Sequence, residues 1–166
     1  MTYGVGQPVR RKEDVRLVSG RGRYLDDIRI EGEVHAYFVR SPHAHANIRG
    51  VEASAALAAP GVIGVLTADD VAGTGALPVR GSFKSRDGSE LKQSPKLLLP
   101  ADKARFAGEA VAMIVAQTPA QAKDAAELVE IDYETLPANG SLDAAHGAPR
   151  IWDAVPNNLR SEEHTS

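Results

Sequence analysis

Residues 102–138 read DKARFAGEAVAMIVAQTPAQAKDAAELVEIDYETLPA, and the fold follows from how that stretch divides. The apolar run Ala110 to Ala116 is long enough for a buried strand. Gln117 ends it. Thr118-Pro119-Ala120-Gln121 then opens a helix: Thr118 suits the N-cap, Pro119 the first helical position, and Gln121 completes a capping-box spacing. Such a cap is worth about 1 kcal/mol relative to alanine. Ala122, Ala125, Ala126 and Val129 recur at three- and four-residue spacing and give the helix one apolar face. Val129 to Glu134 alternates as a half-buried strand does, and Leu136-Pro137 stops it. Gly108 stands where the chain turns into the apolar strand, which predicts a backbone shape that β-branched residues resist.

The elements before this unit are shorter. Residues 33–41, EVHAYFVRS, form a strand with two largely apolar faces, which predicts an interior strand. Ser41-Pro42 ends it, since proline cannot donate to a ladder. A short strand is expected over 48–51, an alanine-rich helix over 53–59 ended by Pro60-Gly61, and a third strand over 62–66. Thr67-Ala68-Asp69-Asp70 has N-cap spacing and predicts a brief helical turn. From Ala72 to about Ser94 the pattern dissolves into a long loop. Loops of that length in compact domains serve function or an interface, and here a surface covered by another domain or subunit is expected. Leu97-Leu98-Leu99-Pro100 re-enters the core. Residues 138–156 show little periodicity and hold the single tryptophan, Trp152.

Composition narrows the function classes. The chain has 166 residues, the length of one domain, and no cysteine. Disulfides, iron–sulfur ligation and thiolate zinc sites are thereby excluded within it. The formal charge is −3 with the signs interspersed, so a nucleic-acid or membrane-surface partner is not expected. No apolar run approaches the ~20 residues of a membrane span, and the N-terminus lacks a signal-peptide core. A soluble, cytoplasmic chain is the expectation.

Several residue groups invite a chemical reading. Ser19-Gly20-Arg21-Gly22-Arg23-Tyr24 looks like a phosphate loop. It lacks the third glycine, the preceding strand and the following helix of a dinucleotide site, and has no Gly-Lys-Ser/Thr. A turn is expected there. Asp26 and Asp27 are adjacent and so point apart on an extended chain; their expected role is to hold a turn or pair with arginines. His35, His43 and His45 suggest a metal site, but no carboxylate stands at ligand spacing, and hydrogen bonding in a turn is expected instead. Lys84, Arg86, Asp87, Glu90 and Lys92 in the long loop read as solvated charges.

Ordered motifs carry a further reading. They are Arg11-Lys12-Glu13-Asp14 with Arg16-Leu17, Gly20-Arg21-Gly22-Arg23-Tyr24, Asp26-Asp27, and Arg40-Ser41-Pro42-His43-Ala44-His45-Ala46. Gly64-Val65-Leu66-Thr67-Ala68-Asp69-Asp70, Arg105-Phe106-Ala107-Gly108-Glu109, and Val129 to Pro137 follow. Together they resemble the N-terminal part of the molybdenum-binding large subunit of the xanthine dehydrogenase, aldehyde oxidase and carbon monoxide dehydrogenase family. Phe106 stands where that family more often has tyrosine, and Ala104 and Ala110 where it has valine and proline.

The resemblance implies an α+β fold, the α/β hammerhead: a mixed sheet with packed helices and a long central loop. It implies an oxidoreductase that hydroxylates an aldehyde, an N-heterocycle or carbon monoxide at a molybdenum–pterin centre. The metal and pterin carry the hard step, and protein groups orient substrate and stabilise charge. Iron–sulfur clusters and FAD are implied on partner subunits, with a dimer of heterotrimers when complete. Met1 stands a few residues before the matching part, which resembles the arrangement with separate subunits. The family's pterin contacts and glutamate base are implied to lie in later domains. No catalytic, cofactor-binding or metal residue is therefore expected here, and Glu109, the acid at the mouth of a strand, is expected to be structural. A non-catalytic subunit-interaction module is the alternative. The hammerhead with its N-terminal extension is expected to occupy 1–159. Residues 160–166, RSEEHTS, match the translated start of a sequencing-library adapter, so the natural chain is expected to be cut near Leu159.

Overall fold

The computed structural model describes residues 4–6, 11–78, 84, 88–90, 92, 94–145, 147–155 and 158. Two compact units result, residues 1–33 and 34–166. In the first, a five-residue helix α1 (Asp14–Val18) ends at Ser19, whose hydroxyl donates to the carbonyls of Val15 and Arg16 at 2.6 and 3.1 Å. Gly20 has φ +69°, a left-handed shape suited to glycine at a helix end. The glycine-rich stretch is thus the end of α1. A 3₁₀ turn over Leu25–Asp27 follows. The Asp27 carboxylate accepts the Tyr24 N–H at 2.9 Å, which is the turn-holding role expected of the acidic pair.

Among the described residues, the second unit carries six strands, three α-helices and a 3₁₀ turn at Ala72–Thr74. The strands and α-helices are β1 (His35–Arg40), β2 (Ala46–Glu52), α2 (Ser54–Leu57), β3 (Val62–Leu66), α3 (Ala68–Val71), β4 (Lys103–Ala104), β5 (Ala110–Ala116), α4 (Pro119–Ala126) and β6 (Glu130–Thr135). The expected α+β class holds. The strands run antiparallel in two three-stranded sheets, β1-β5-β3 and β4-β2-β6, rather than in one mixed sheet. The opening stretch explains this. β5 and β6 belong to different sheets, and α4 is the connection that carries the chain from one to the other.

β5 is the central strand of the first sheet, as its unbroken apolar run requires. Val111, Ala112, Ile114 and Ala116 are buried. α4 begins as its signals predict: Thr118 Oγ1 accepts the Gln121 N–H at 3.2 Å. The second capping bond differs from the standard box, because the Thr118 hydroxyl donates to Gln121 Oε1 at 3.0 Å. Ala122, Ala125 and Ala126 pack with Ala56, Ile114 and Ala116, with Val39, Val62, Val65 and Val129 around them. A core so rich in alanine lets the helix lie close to the sheet, while Ile114 supplies the largest fully buried side chain among the described residues. Its burial is worth roughly 2–3 kcal/mol.

Three further expectations are corrected. β1 is an edge strand, with only β5 beside it among the described residues. Two apolar faces do not make an interior strand, and Tyr37 and Phe38 stay 41% and 40% exposed. Of the leucine run, only Leu99 joins the core with Pro100, while Leu97 and Leu98 remain exposed. β2 begins at Ala46 and not Ile48, because His45 and Ala46 already run beside the end of β6. Residues 103–104 form a short strand that their composition conceals. Within the long loop, a bridge between Leu77 and Lys96 closes its base. Arg86, Asp87 and the 160–166 tail lie outside the described residues.

Candidate functional site

The motif segments around 40–46 and 105–109 meet in space. β1 ends at Arg40, and the chain continues beside residues 108–109. Ser41 N–H donates to the Glu109 carbonyl and Gly108 N–H to the Ser41 carbonyl, each at 2.8 Å. Arg40 Nη1 donates to the Gly108 carbonyl at 2.8 Å. Gly108 has φ +88°, the left-handed shape expected from its place in the sequence. That shape closes the 105–109 turn, in which Glu109 N–H meets the Phe106 carbonyl and the Glu109 carboxylate accepts the Arg105 N–H at 2.5 Å.

Arg105 is the other anchor. Its two terminal nitrogens donate to the two Asp102 oxygens at 3.2 and 2.9 Å, and Nη1 also reaches the Lys103 carbonyl at 3.0 Å. The guanidinium lies over the Trp152 ring. The carboxyl groups respond in opposite senses. Burial pushes Glu109 above the ordinary carboxylate value, despite the lowering from Arg105. At Asp102 burial also raises, but the hydrogen bonds and charge of Arg105 outweigh it and hold the group low.

Tyr133 enters the same neighbourhood from β6. Burial, with the Glu109 charge adding to it, raises its phenol above the ordinary value, against a lowering from the Ser41 hydroxyl. Its hydroxyl is buried beside that of Ser41, without a hydrogen bond of standard geometry among the described residues. His43 packs edge-on against the Tyr133 ring at 5.0 Å. His45 is buried, and its Nδ1 lies 2.8 Å from the Pro137 carbonyl. A carbonyl only accepts, so Nδ1 carries the proton. His45 Nε2 is buried with no partner among the described residues.

The three histidines do not converge. His35 starts β1 and Ser41 follows its end, a separation of about 20 Å along a strand. No group of three His, Cys, Asp or Glu side chains with metal-holding geometry occurs among the described residues. His43 is turned to an aromatic ring and His45 holds a backbone carbonyl. The helix α4 N-terminus is occupied by its own Thr118 cap. This donor set does not fit a molybdenum–pterin group. The arrangement joins segments: the end of β1, the turn before β5, the inward face of β6 and the segment bearing Trp152. Sequence reasoning missed Arg105 with Trp152, and the buried ends of Tyr133 and His45. The alternation of β6 was a usable signal for Tyr133. Nothing local pointed from Arg105 to Trp152.

Comparison with known proteins places this framework. Residues 19–137 match the family model "Aldehyde oxidase and xanthine dehydrogenase, a/b hammerhead domain". The large subunit of nicotine 6-hydroxylase from Paenarthrobacter nicotinovorans is 43% identical over 132 residues, covering 80% of this chain and 16% of that protein. The carbon monoxide dehydrogenase large chain of Afipia carboxidovorans is 40% identical over 134 residues, covering 81% and 16%. Among solved structures, quinoline 2-oxidoreductase from Pseudomonas putida 86 superposes with a TM-score of 0.84 at 38% identity, covering 94% of this chain and 20% of that one. The Cu,Mo-CO dehydrogenase gives 0.76 at 34%, covering 98% and 20%. The chain thus spans about one-sixth of the length of the curated relatives it matches.

Proposed function

Because the chain belongs to the aldehyde oxidase and xanthine dehydrogenase hammerhead-domain family, we propose that it serves as the structural hammerhead segment of a molybdenum hydroxylase large subunit. Residues 1–159 form that domain with its N-terminal extension, and 160–166 are a non-native tail. The segment contributes no catalytic, cofactor-binding or metal-ligating side chain and is inactive alone. In the whole enzyme it works with the remaining domains of the subunit, which hold the molybdenum–pterin centre, and with iron–sulfur and flavin subunits in the cytoplasm. The reaction is hydroxylation of an aldehyde, an N-heterocycle or carbon monoxide.

One observation carries the scaffold reading. The family-bearing residues are engaged with one another: Ser41 with Gly108 and Glu109, Arg40 with Gly108, and Glu109 with the backbone of Arg105. A carboxylate bonded to its own turn is poorly placed to accept a proton from substrate. Among the described residues no helix is long and apolar enough to cross a membrane.

The source DNA, read past the codon for Leu159, tests this. A continuous large-subunit reading frame is expected, and its product with partner subunits should hold molybdenum and hydroxylate a substrate. The 166-residue chain should hold none. Stoichiometric molybdenum on the short chain would overturn the scaffold role. A native gene that stops near Leu159, with a product that still binds a partner, would favour the interaction module.

A further inference from the structure

Asn139-Gly140 is the single Asn-Gly pair in the sequence. It stands in the irregular segment 136–141, between the end of β6 and the segment that bears Trp152. The Asn139 side chain is folded back along the chain. Its Oδ1 accepts the Ser141 N–H at 3.3 Å, the closed turn that asparagine makes with the backbone two residues on. Cγ is thereby held next to the intervening nitrogen, that of Gly140. Gly140 is exposed, and a Cβ added there would meet nothing within 4 Å. Its N–H makes no hydrogen bond among the described residues. Without a side chain, Gly140 neither shields its nitrogen nor resists the rotation that carries that nitrogen onto Cγ. The other described asparagines are held in place. Asn47 lies in β2, donates to the Glu134 carboxylate at 2.8 Å and precedes the β-branched Ile48. Asn158 donates to the carbonyls of Ala145, Ala148 and Pro149, accepts the Ile151 N–H and precedes Leu159.

We propose that Asn139 is a site of spontaneous covalent modification, at which the chain converts its own asparagine to aspartate and isoaspartate. The Gly140 nitrogen gives its proton to solvent base and bonds to Asn139 Cγ. The Ser141 N–H is already placed on Oδ1, where negative charge builds as Cγ becomes tetrahedral. The Cγ–Nδ2 bond then breaks, Nδ2 leaves as ammonia, and a five-membered succinimide remains. A solvent water opens the ring. Addition at Cγ gives aspartate with the main chain as it was. Addition at the main-chain carbonyl carbon of residue 139 routes the chain through Cβ and lengthens it by one methylene. No oxidation state changes. Either product adds one negative charge to a chain whose formal charge is −3. The position gives the change a structural consequence. The Leu136 N–H donates to the His45 carbonyl and the Pro137 carbonyl accepts from His45 Nδ1. The altered link therefore begins just past the last ties between the end of β6 and His45, on the way to the Arg105–Trp152 contact.

Ageing of the folded 166-residue chain in mildly alkaline buffer tests this. The peptide spanning 136–143 is followed by mass spectrometry, with fragmentation that separates aspartate from isoaspartate. Peptides bearing Asn47 and Asn158 serve as internal references. Asn139 is expected to convert at least about 10-fold faster than either, to give both products, and to convert faster as pH rises. In Gly140→Ile the conversion should slow by at least about 10-fold, because a β-branched side chain crowds the attacking nitrogen. The urea midpoint of that variant should be kept, since nothing lies near the added Cβ and φ at Gly140 is not left-handed. An Asn139 that stays intact in the folded chain, while a synthetic peptide of residues 136–143 converts, overturns the proposal. Equal conversion at all three asparagines does the same. Conversion that does not grow with time belongs to sample preparation and overturns it as well. An unchanged rate in Gly140→Ile would assign the reaction to direct attack by water and remove the role of the Gly140 nitrogen.

Discussion

The guanidinium carbon of Arg105 lies 4.0 Å from the centre of the Trp152 ring. Asp102 grips the same guanidinium from its edge, and only 10% of the Arg105 side chain is exposed. A planar cation held by a carboxylate and stacked on indole is a geometry lysine does not reproduce. Arg105→Ala and Trp152→Ala should each destabilise the chain. Their double-mutant cycle should show a favourable coupling of about 0.5–2 kcal/mol. Trp152 is the single tryptophan, so its emission reports the contact and should move to longer wavelength in Arg105→Ala. Additive effects with unchanged emission would show that the stack contributes nothing.

Gly108 offers a sharper backbone test. An added Cβ would meet nothing within 4 Å, yet φ is +88°. The cost of substitution is therefore conformational and not steric crowding from neighbours. Gly108→Val should lose more than about 1 kcal/mol, as left-handed positions do for β-branched residues. Gly108→Asn should lose less, since asparagine tolerates that region. Urea midpoints measure both. Equal midpoints for wild type and the valine variant would remove the special role of this turn.

Thr118→Ala should cost about 1 kcal/mol, because it removes the oxygen that accepts the Gln121 N–H. Thr118→Ser should retain most of the stability. The Gln121 side chain is also confined by Gly61, where a Cβ would fall 2.3 Å from it at φ +76°. The Gln121 amide end can move aside, but the left-handed backbone takes a Cβ only with strain of about 1–2 kcal/mol, so Gly61→Ala should destabilise by more than the loss of the Thr118 cap. The same denaturation series ranks the three variants, and a Gly61→Ala midpoint at or above that of Thr118→Ala would contradict this packing.

Local chemistry made much of the fold readable. The Thr118 cap, the Val62–Leu66 strand and the apolar strand Ala110–Ala116 each follow from neighbouring residues, and the structure places them where those residues predict. What was hidden depends on contacts distant in sequence. Whether β1 lies inside or at an edge is decided by how many strands the sheet recruits, and His35 to Arg40 carry no record of that. The motif around Glu109 was visible as a motif. Its engagement with Ser41 was not, because Ser41 meets Gly108 and Glu109 only through the β1–β5 pairing. Trp152 sits in an unpatterned segment, and its tie to Arg105 has no periodic signature.

The pH dependence of stability isolates Glu109. Burial raises its carboxyl above the ordinary value of 4.5. Between that value and the raised one, the folded chain binds more protons than the unfolded chain. Stability therefore falls as pH rises through this window. Asp102 works in the opposite sense: burial raises it, but Arg105 outweighs this and holds it low. Hydrogen bonds from Ser54, Thr67 and Asn47 likewise hold Glu52, Asp70 and Glu134 low. The stability these four groups contribute is lost as pH falls, at values below their ordinary carboxyl range. The two windows are separate, so one variant can divide them. Glu109→Gln keeps an oxygen to accept the Arg105 N–H and removes the titration. It should abolish the decline in stability just above pH 4.5 and leave the acid limb unchanged. Urea denaturation across pH 3–7 reads both limbs. A decline that persists in Glu109→Gln would assign that limb to another group.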